Sequence, residues 1–279
     1  MNNISSMQSN HSAGKSDNSV RIKKEIIDTS PDTVSISYRS DEIDRTDSNF
    51  LKNLKNLHSD VDSGHSADKF SVKEKVKHKL SELLDKGAVN PDNCEHVVKF
   101  DELLNSGSIK PGDIILVGEP LNPVMKGITA LIPGEYTHVL LYTGKNEKGE
   151  HKSLEAWYPE VQIRDARWCA KKWNKWAVVR PHDSKGMELD QEERQKVVDF
   201  AKSTEGCQYN MKWFKNKVKL PVDKEESKFY CSQLAWAAYY YTSGIDIDKN
   251  PDFKMKYACG VAPQEIYDSH EVSVIAKSE

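Results

Sequence analysis

Hydrophobic and polar positions divide the chain into a polar first third and a remainder with regular apolar patterns. Up to about residue 92, Ser, Asn, Asp and Lys dominate, and all six tryptophans lie beyond that point. A segment with so little apolar surface cannot offset the entropy cost of ordering its backbone. We therefore expect residues 1–69 to form a disordered tail and residues 93–279 to form one folded domain.

Residues 70–92 differ from the tail that precedes them. Valines and leucines recur at helical spacing among lysines and glutamates, which predicts an amphipathic helix followed by a linker. Gly87 suits the position just after the helix, where a left-handed backbone is common. The helix either packs on the domain or binds a partner, and we favour packing.

The domain itself is rich in strand patterns in its middle and in helix patterns before and after. Apolar runs of β-forming residues predict strands at residues 114–117, 136–143, 152–158, 161–164, 176–180 and 270–276. Helical periodicity predicts helices at residues 100–104, 122–131, 165–171 (capped by Asp165), 190–203, from 231 onward and near 263. This order is an α+β pattern, with an antiparallel sheet packed on helices.

Cys231 stands at the start of a strongly apolar helical segment. Leu234, Ala235 and Ala238 follow it at positions i+3, i+4 and i+7, which form one apolar stripe. Ser227, or an acid just before it, can cap the helix. The start of a helix favours thiolate over thiol and offers N–H groups to an oxyanion. The alternative is an inert cysteine in the core, and only a nearby base distinguishes the two.

Only one of the nine histidines, His138, lies mid-strand within an apolar run. If the hairpin loop is residues 145–148, Gly144 faces Gly149. In that register His138 stands directly opposite Glu155, and opposed Cβ atoms are about 5 Å apart. A loop one residue longer turns Glu155 to the other face. A structural histidine and a solvated glutamate are the alternatives, but the apolar neighbours of the glutamate favour a buried pair.

A second cysteine and histidine stand close together in the tetrad Asn93-Cys94-Glu95-His96. The tetrad resembles the cysteine box of lecithin:retinol acyltransferase-like proteins, but it precedes every candidate histidine strand. Neighbours on a strand point to opposite faces, so closeness in sequence is poor support for contact between side chains. We interpret the tetrad as coincidence.

Composition excludes several classes of protein. Net charge is −3 with interspersed signs, which gives no basic footprint for nucleic acid. The five cysteines are odd in number and form no C-x-x-C pair. We therefore expect no disulfide framework, no metal site, no cofactor and a reducing compartment. The start of the chain has no signal-peptide pattern, and no apolar run reaches a membrane span. These features predict a cytoplasmic protein, or one delivered by a secretion route that needs no signal peptide.

One local cluster combines lysines with tryptophans at Trp168, Lys171, Lys172, Trp173, Lys175 and Trp176. Such clusters can stack on bases or lie at a membrane surface. More often they form a core face whose lysines extend to solvent, which is the interpretation we favour. Peripheral membrane contact stays open as the alternative.

The motifs that carry a family resemblance are Pro111-Gly112-Asp113-Ile114-Ile115, Tyr136-Thr137-His138-Val139, Leu154-Glu155-Ala156, residues 206–210 and Phe229-Tyr230-Cys231-Ser232-Gln233-Leu234. In this order and spacing they resemble the circularly permuted NlpC/P60 group of papain-like enzymes, above all its YiiX/YebB branch. The resemblance covers residues 100–275. It implies a permuted papain-like fold, in which the histidine strand precedes the cysteine helix, and it does not account for the segment before residue 93.

The resemblance also implies the roles of individual residues. Cys231 would be the nucleophile, His138 the base and Glu155 the residue that orients the base. Tyr230 matches a position that is often aromatic in the group.

Two further side chains, Tyr136 and Gln233, are candidates for polar support of the substrate or oxyanion. Both are equally suited to packing.

The implied activity is that of a thiol hydrolase that cleaves an amide bond, in a peptide or a lipid-linked amide, through an acyl-enzyme. One alternative is an acyltransferase that moves a fatty acyl group through Cys231 onto an amine. The other is a catalytically inactive binding module. The expected partner is thus an amide- or acyl-bearing substrate, and the sequence does not define the oligomeric state.

Overall fold

The computed structural model describes residues 66–130, 132–212, 215, 217–250 and 260–278, with side chains from residue 74 onward. All of these residues belong to one compact unit. The predicted disordered tail lies outside them except for residues 66–69, which are the first residues of a helix and not tail.

The described part of the chain is α+β. Its helices are α1 (Ser66–Asp85), α2 (Glu95–Asn105), α3 (Pro123–Thr129), α4 (Trp168–Lys172), α5 (Gln191–Ser203), α6 (Cys231–Ser243) and α7 (Pro263–Tyr267). Its strands are β1 (Ile114–Pro120), β2 (His138–Lys145), β3 (His151–Trp157), β4 (Glu160–Asp165), β5 (Trp173–Pro181), β6 (Gln208–Tyr209), β7 (Lys228–Phe229) and β8 (Val272–Lys277).

The strands form one sheet in the order β7-β6-β4-β3-β2-β1-β5-β8. Neighbouring strands are antiparallel except β6 and β7. One face of the central strands packs against α5, α6 and α7, and the other against α2, α3, α4 and the end of α1. Because both faces are covered, β1 and β2 read as continuous apolar runs and do not alternate.

Local signals in the sequence account for several of the helix ends. Asp190 and Glu193 form a reciprocal capping box at the start of α5. Asn122 accepts two backbone N–H groups at the start of α3, with proline in its first turn. Gly244 ends α6 in the left-handed region, at a φ of 68°, where a side chain would be strained.

One predicted helix start and two predicted helix caps are wrong. The helix expected at residues 100–104 begins already at Glu95. Tyr230 is the N-cap of α6 and makes no side-chain bond there, so Ser227 does not cap it. Asp165 accepts the N–H of Arg167 at 2.9 Å in a local turn ahead of α4 and is not its cap. Short acidic and hydroxyl side chains stabilise turns as readily as caps, which explains the two cap errors.

The β2–β3 hairpin differs from the prediction in register. Leu141 pairs with Leu154, and a bulge follows towards the turn. Continuing this register places Glu155 opposite Leu140, so the predicted pairing with His138 is wrong by two residues. Side chains alternate between faces with a period of two, so the shift leaves the histidine and the glutamate on the same face.

Candidate active site

The first turn of α6 places Cys231 in the core at the end of the sheet. Residues 231–239 of this helix are all buried. The first intrahelical bond runs from the N–H of Leu234 to the carbonyl of Tyr230. The N–H groups before it therefore have no partner within the helix, which makes this end electropositive.

The thiol of Cys231 is hydrogen-bonded to the imidazole of His138, the first residue of β2. The backbone N–H groups of Val139 and Ser232 also point at the sulfur. Val139 directly follows the histidine, and Ser232 belongs to the first turn of α6. The sulfur is thus surrounded by groups that stabilise negative charge.

Glu155 of β3 holds the other side of the histidine ring. His138 Nε2 and Glu155 Oε2 are 2.5 Å apart, and the carboxylate is 0% exposed. A carboxylate accepts, so Nε2 carries the donated hydrogen and Nδ1 is left for the thiol. The structure therefore brings the three sequence-predicted residues Cys231, His138 and Glu155 into one hydrogen-bonded series.

Two tryptophans enclose the His138–Glu155 pair. The ring of Trp173 stacks on the imidazole with centroids 5.5 Å apart and an interplanar angle of 5°. Trp157 meets the same ring edge-on at 5.2 Å. Indole rings exclude water, and the attraction between histidine and glutamate is stronger in the low dielectric that results.

Burial and charge act in opposite directions on the two titrating groups. Burial alone would lower the pKa of His138, but the Cys231 sulfur and the Glu155 carboxylate outweigh it and raise that pKa to about 9. Burial likewise opposes ionisation of Cys231, yet the charge and hydrogen bond of His138 hold the thiol pKa below its ordinary value. Each group therefore favours the charged form of the other.

The second oxygen of Glu155 faces a cation that the sequence did not reveal. Arg164 Nε lies 2.7 Å from Oε1. The contact is an ion pair and not a linear hydrogen bond, because neither atom meets hydrogen-bond geometry in the described part of the chain. Ser153 pairs with Arg164 across β3 and β4, which makes the arginine a diagonal neighbour of the glutamate. A long side chain spans such a diagonal, so correct pairing of β3 with β4 was the one available signal.

Tyr230 is tied to the chain beyond the site. Its hydroxyl accepts the N–H of Val261 at 2.8 Å, while the hydroxyl of Ser232 donates to the Val261 carbonyl at 2.6 Å. Both residues flank Cys231 in sequence, so these two bonds fix the N-terminal turn of α6.

The two other predicted supports lie in packed surroundings. The ring of Tyr136 packs against Tyr267 with centroids 4.7 Å apart. Gln233 is fully buried, and its side-chain carbonyl accepts from Asn210 at 3.3 Å. Support of the substrate or oxyanion by these side chains stays a prediction.

The Asn93–His96 tetrad is not a strand, and its side chains do meet. Cys94 precedes α2, and its sulfur lies 3.2 Å from His96 Nδ1. The opposite nitrogen of that ring lies 3.0 Å from the carbonyl oxygen of Ala170. Two residues at a helix start can share one side, which the strand argument overlooked. This second pair has no carboxylate on its histidine in the described structure.

The lysine–tryptophan cluster belongs largely to the interior. Trp173 and Trp176 are buried, and the latter packs edge-on against Phe100 at 5.1 Å. Lys171 pairs with Asp92 and Lys175 with Glu135, each at 2.7 Å. In this arrangement the cluster presents no free aromatic face at Trp173 or Trp176.

Two other kinds of feature are absent from the described residues. These residues contain no cluster of three or more His, Cys, Asp and Glu side chains suited to a metal ion. None of their helices combines the length and the apolarity needed to cross a bilayer.

Comparison with known proteins places the chain in a family. A crystal structure of the metalloprotein YiiX from Escherichia coli O157:H7 is similar, with 21% identity and a TM-score of 0.46 over 61% of this chain and 98% of that chain. No match was found among curated proteins. The family model for permuted papain-like amidases of the YaeF/YiiX type matches residues 108–276, more than half of the chain. The chain therefore belongs to the permuted papain-like amidase family C92.

Proposed function

We propose that the protein is a thiol amidase in which Cys231 is the nucleophile and His138 the general base and acid. Glu155 is the residue that orients the histidine. The observation that carries the proposal is the buried bond between His138 and Glu155, which commits Nε2 and directs Nδ1 at the thiol. A nucleophile, a base and an orienting carboxylate are what thiol catalysis requires.

Acylation starts from the thiolate–imidazolium pair. The sulfur of Cys231 attacks the amide carbon, and the carbonyl oxygen becomes an oxyanion. The N–H of Cys231, at the open end of α6, is suited to donate to that oxyanion. His138 then gives its proton to the leaving nitrogen, the C–N bond breaks, and an amine departs from a thioester.

Deacylation reverses the roles of the same groups. Neutral His138 takes a proton from water, whose oxygen attacks the thioester carbon. The C–S bond breaks, the carboxylic product leaves, and Cys231 returns as thiolate beside the imidazolium. Glu155 keeps the ring in one tautomer throughout, because its carboxylate accepts from Nε2 in both steps.

Amide cleavage by wild type and Cys231→Ser tests the proposal. We expect wild type to release amine from simple peptide or N-acyl amides, and the variant to be slower by at least about 1,000-fold, because it lacks the nucleophile. Amine release is measured from the fluorescence of an aminocoumarin leaving group. Cys94→Ser is the matched control: it removes the other Cys–His contact and places serine at a helix N-cap, where serine is favoured. Loss of turnover in the control with turnover kept in Cys231→Ser would refute the assignment.

The alternatives have distinct outcomes in a labelling experiment. An alkyne-bearing acyl thioester is incubated with wild type, with and without an added amine. Label on Cys231 that passes to the amine, without any amide cleavage, would identify an acyltransferase and contradict the amidase proposal. No label and no cleavage would leave a binding module.

A further inference from the structure

Arg164 is the second charged partner of Glu155, on the side away from His138. One oxygen of the carboxylate accepts from His138 Nε2 at 2.5 Å, and the other lies 2.7 Å from Arg164 Nε. The carboxylate is wholly buried, and the arginine side chain is 17% exposed. A buried carboxylate without partners is costly, so the arginine offsets the charge of Glu155 and leaves the carboxylate little freedom to rotate.

Arg164 is itself held from the opposite side by Asp85, the last residue of α1. Its terminal Nη2 donates to Asp85 Oδ1 at 2.9 Å, and the same oxygen accepts from Trp157 Nε1 at 3.1 Å. The guanidinium also lies over the ring of Trp168, 4.3 Å from its centroid. The forked side chain thus contacts two carboxylates through different nitrogen atoms, which an ammonium group cannot do with the same geometry.

The position of Asp85 is unfavourable for its own helix. A carboxylate at the C-terminal end of a helix is repelled by the helix dipole. Despite this repulsion, two contacts fix the end of α1 against the domain. Lys172 Nζ donates to the Asp85 carbonyl at 2.7 Å, and the Asn122 side chain donates to the carbonyl of Leu83 at 2.8 Å. This helix lies outside residues 108–276, the part of the chain that matches the amidase family.

We propose that Arg164 and Asp85 are positioning residues that act through Glu155, so that α1 completes the support of the active site. The inference rests on the proposed function for its catalytic consequence. Along the series Cys231, His138, Glu155, Arg164 and Asp85 the charges alternate in sign, each group next to its counter-ion. A chain of this kind fixes the direction of the carboxylate, and through it the plane of the imidazole.

A spectroscopic test needs no substrate. In protein labelled with ¹⁵N-histidine, the Nε2 proton of His138 gives a downfield resonance because it is donated to a carboxylate. We expect Glu155→Gln to remove that resonance. Arg164→Gln and Asp85→Asn should shift it upfield and speed its exchange with water about tenfold, the lower end of the usual effect of losing an outer-shell hydrogen-bond partner. Arg164→Lys should restore part of the signal.

A matched control is the ion pair of Arg167, three residues after Arg164 in the chain. Arg167 pairs with Asp101 at 2.5 Å and its side chain is 42% exposed, so Arg167→Gln and Asp101→Asn remove a similar ion pair that does not touch Glu155. Both should leave the resonance unchanged. An unchanged resonance in Arg164→Gln and Asp85→Asn, or its absence from wild type, would overturn the inference. Asp85 is 41% exposed, so its variant keeps the test decisive if Arg164→Gln does not fold.

A double-mutant cycle gives the catalytic consequence. Arg164→Gln should slow amide turnover about tenfold in wild type and by less than about twofold in the Glu155→Gln background, because a residue that acts through another has no effect once that other is gone. Equal losses in both backgrounds would show a merely structural arginine. If wild type cleaves no amide, the proposed function fails, and the resonance still decides whether Arg164 and Asp85 hold Glu155.

Discussion

His138 shows how single residues set the chemistry of the site. Its ring lies between the sulfur of Cys231 and the carboxylate of Glu155, and both favour the charged form of the ring. Their combined attraction exceeds the effect of burial, so the ring holds its proton to a pH of about 9. A histidine that is charged at neutral pH can protonate a leaving amine, which otherwise departs with difficulty.

The pH dependence of turnover follows from these two shifts. We expect kcat/KM to rise as Cys231 ionises below its ordinary range and to fall as His138 loses its proton near pH 9. Glu155→Gln removes one of the two anions, so the pKa of the imidazolium falls and the alkaline limb moves to lower pH by about one unit or more. Glu160→Gln, at an exposed position of β4, serves as the control and should keep the wild-type profile. An alkaline limb that stays in place in Glu155→Gln would contradict the role of the glutamate.

Competition between cysteines for an alkylating reagent tests whether Cys231 is the reactive thiol. Iodoacetamide attacks thiolate, so at pH 7 we expect it to modify Cys231 before Cys94, although Cys94 is the more exposed of the two. The order of modification is read from peptide masses after short exposure. Faster modification of Cys94 would remove the basis for Cys231 as nucleophile.

Contact between elements decides where His138 stands. Val117 of β1 pairs with His138 and accepts the N–H of Thr137 at 2.8 Å. The next residue, Gly118, lies so close to the incoming chain that an added Cβ would be 2.0 Å from the carbonyl oxygen of Glu135. The end of β1 and the entry to β2 therefore touch backbone to backbone, and glycine is required at this point for lack of space.

Gly118→Ala should disturb both folding and activity. The added methyl group has no room, so we expect a loss of about 1–3 kcal/mol in the free energy of unfolding, as for other overpacked cores. Turnover should fall as well, because the displaced segment leads directly into His138. Urea unfolding and amide assays measure the two effects. Gly127→Ala is the control, since it lies exposed in α3 with nothing within 4 Å of the new atom. Wild-type stability in Gly118→Ala would show that the two segments are free to separate.

At the scale of the whole molecule, one buried carboxylate joins the sheet to a covering helix. Asp113, just before β1, accepts from Arg180 Nε and Nη2 at 2.8 Å each, one on each oxygen. Arg194 of α5 approaches the same carboxylate at 3.3 Å. The first strand, the end of β5 and α5 are thereby fixed around a single charge, which gives the Pro-Gly-Asp motif a structural role.

Asp113→Asn should destabilise the protein without touching the active site. It leaves two buried guanidinium groups with a weaker partner, and breaking a buried pair of this kind costs about 3 kcal/mol. We expect a lower midpoint of urea unfolding. Glu192→Gln removes the exposed pair with Lys196, whose acid is 80% exposed, and should leave the midpoint unchanged. Equal midpoints for the two variants would show that the buried network contributes nothing.

Elements whose patterns depend on near neighbours were predictable. The strands around His138 and Glu155 and the helix from Cys231 appear within a few residues of their expected positions. The start of α2 was missed because its first turn contains two β-branched valines, Val97 and Val98, which suit a strand as readily as a helix. The hairpin register was missed because a bulge is invisible to alternation.

The sequence alone placed Cys231 at a helix start and His138 and Glu155 on neighbouring strands, because local periodicity defines each element and its buried face. The permuted order of these elements came from the family resemblance. Even a register error of two residues keeps the histidine and glutamate on one face. Only the tertiary structure decided that Arg164 and Asp85 stand behind that pair and that Trp173 covers it. Those contacts join residues far apart in the chain, and their distances depend on strand pairing and helix placement, which no local pattern encodes.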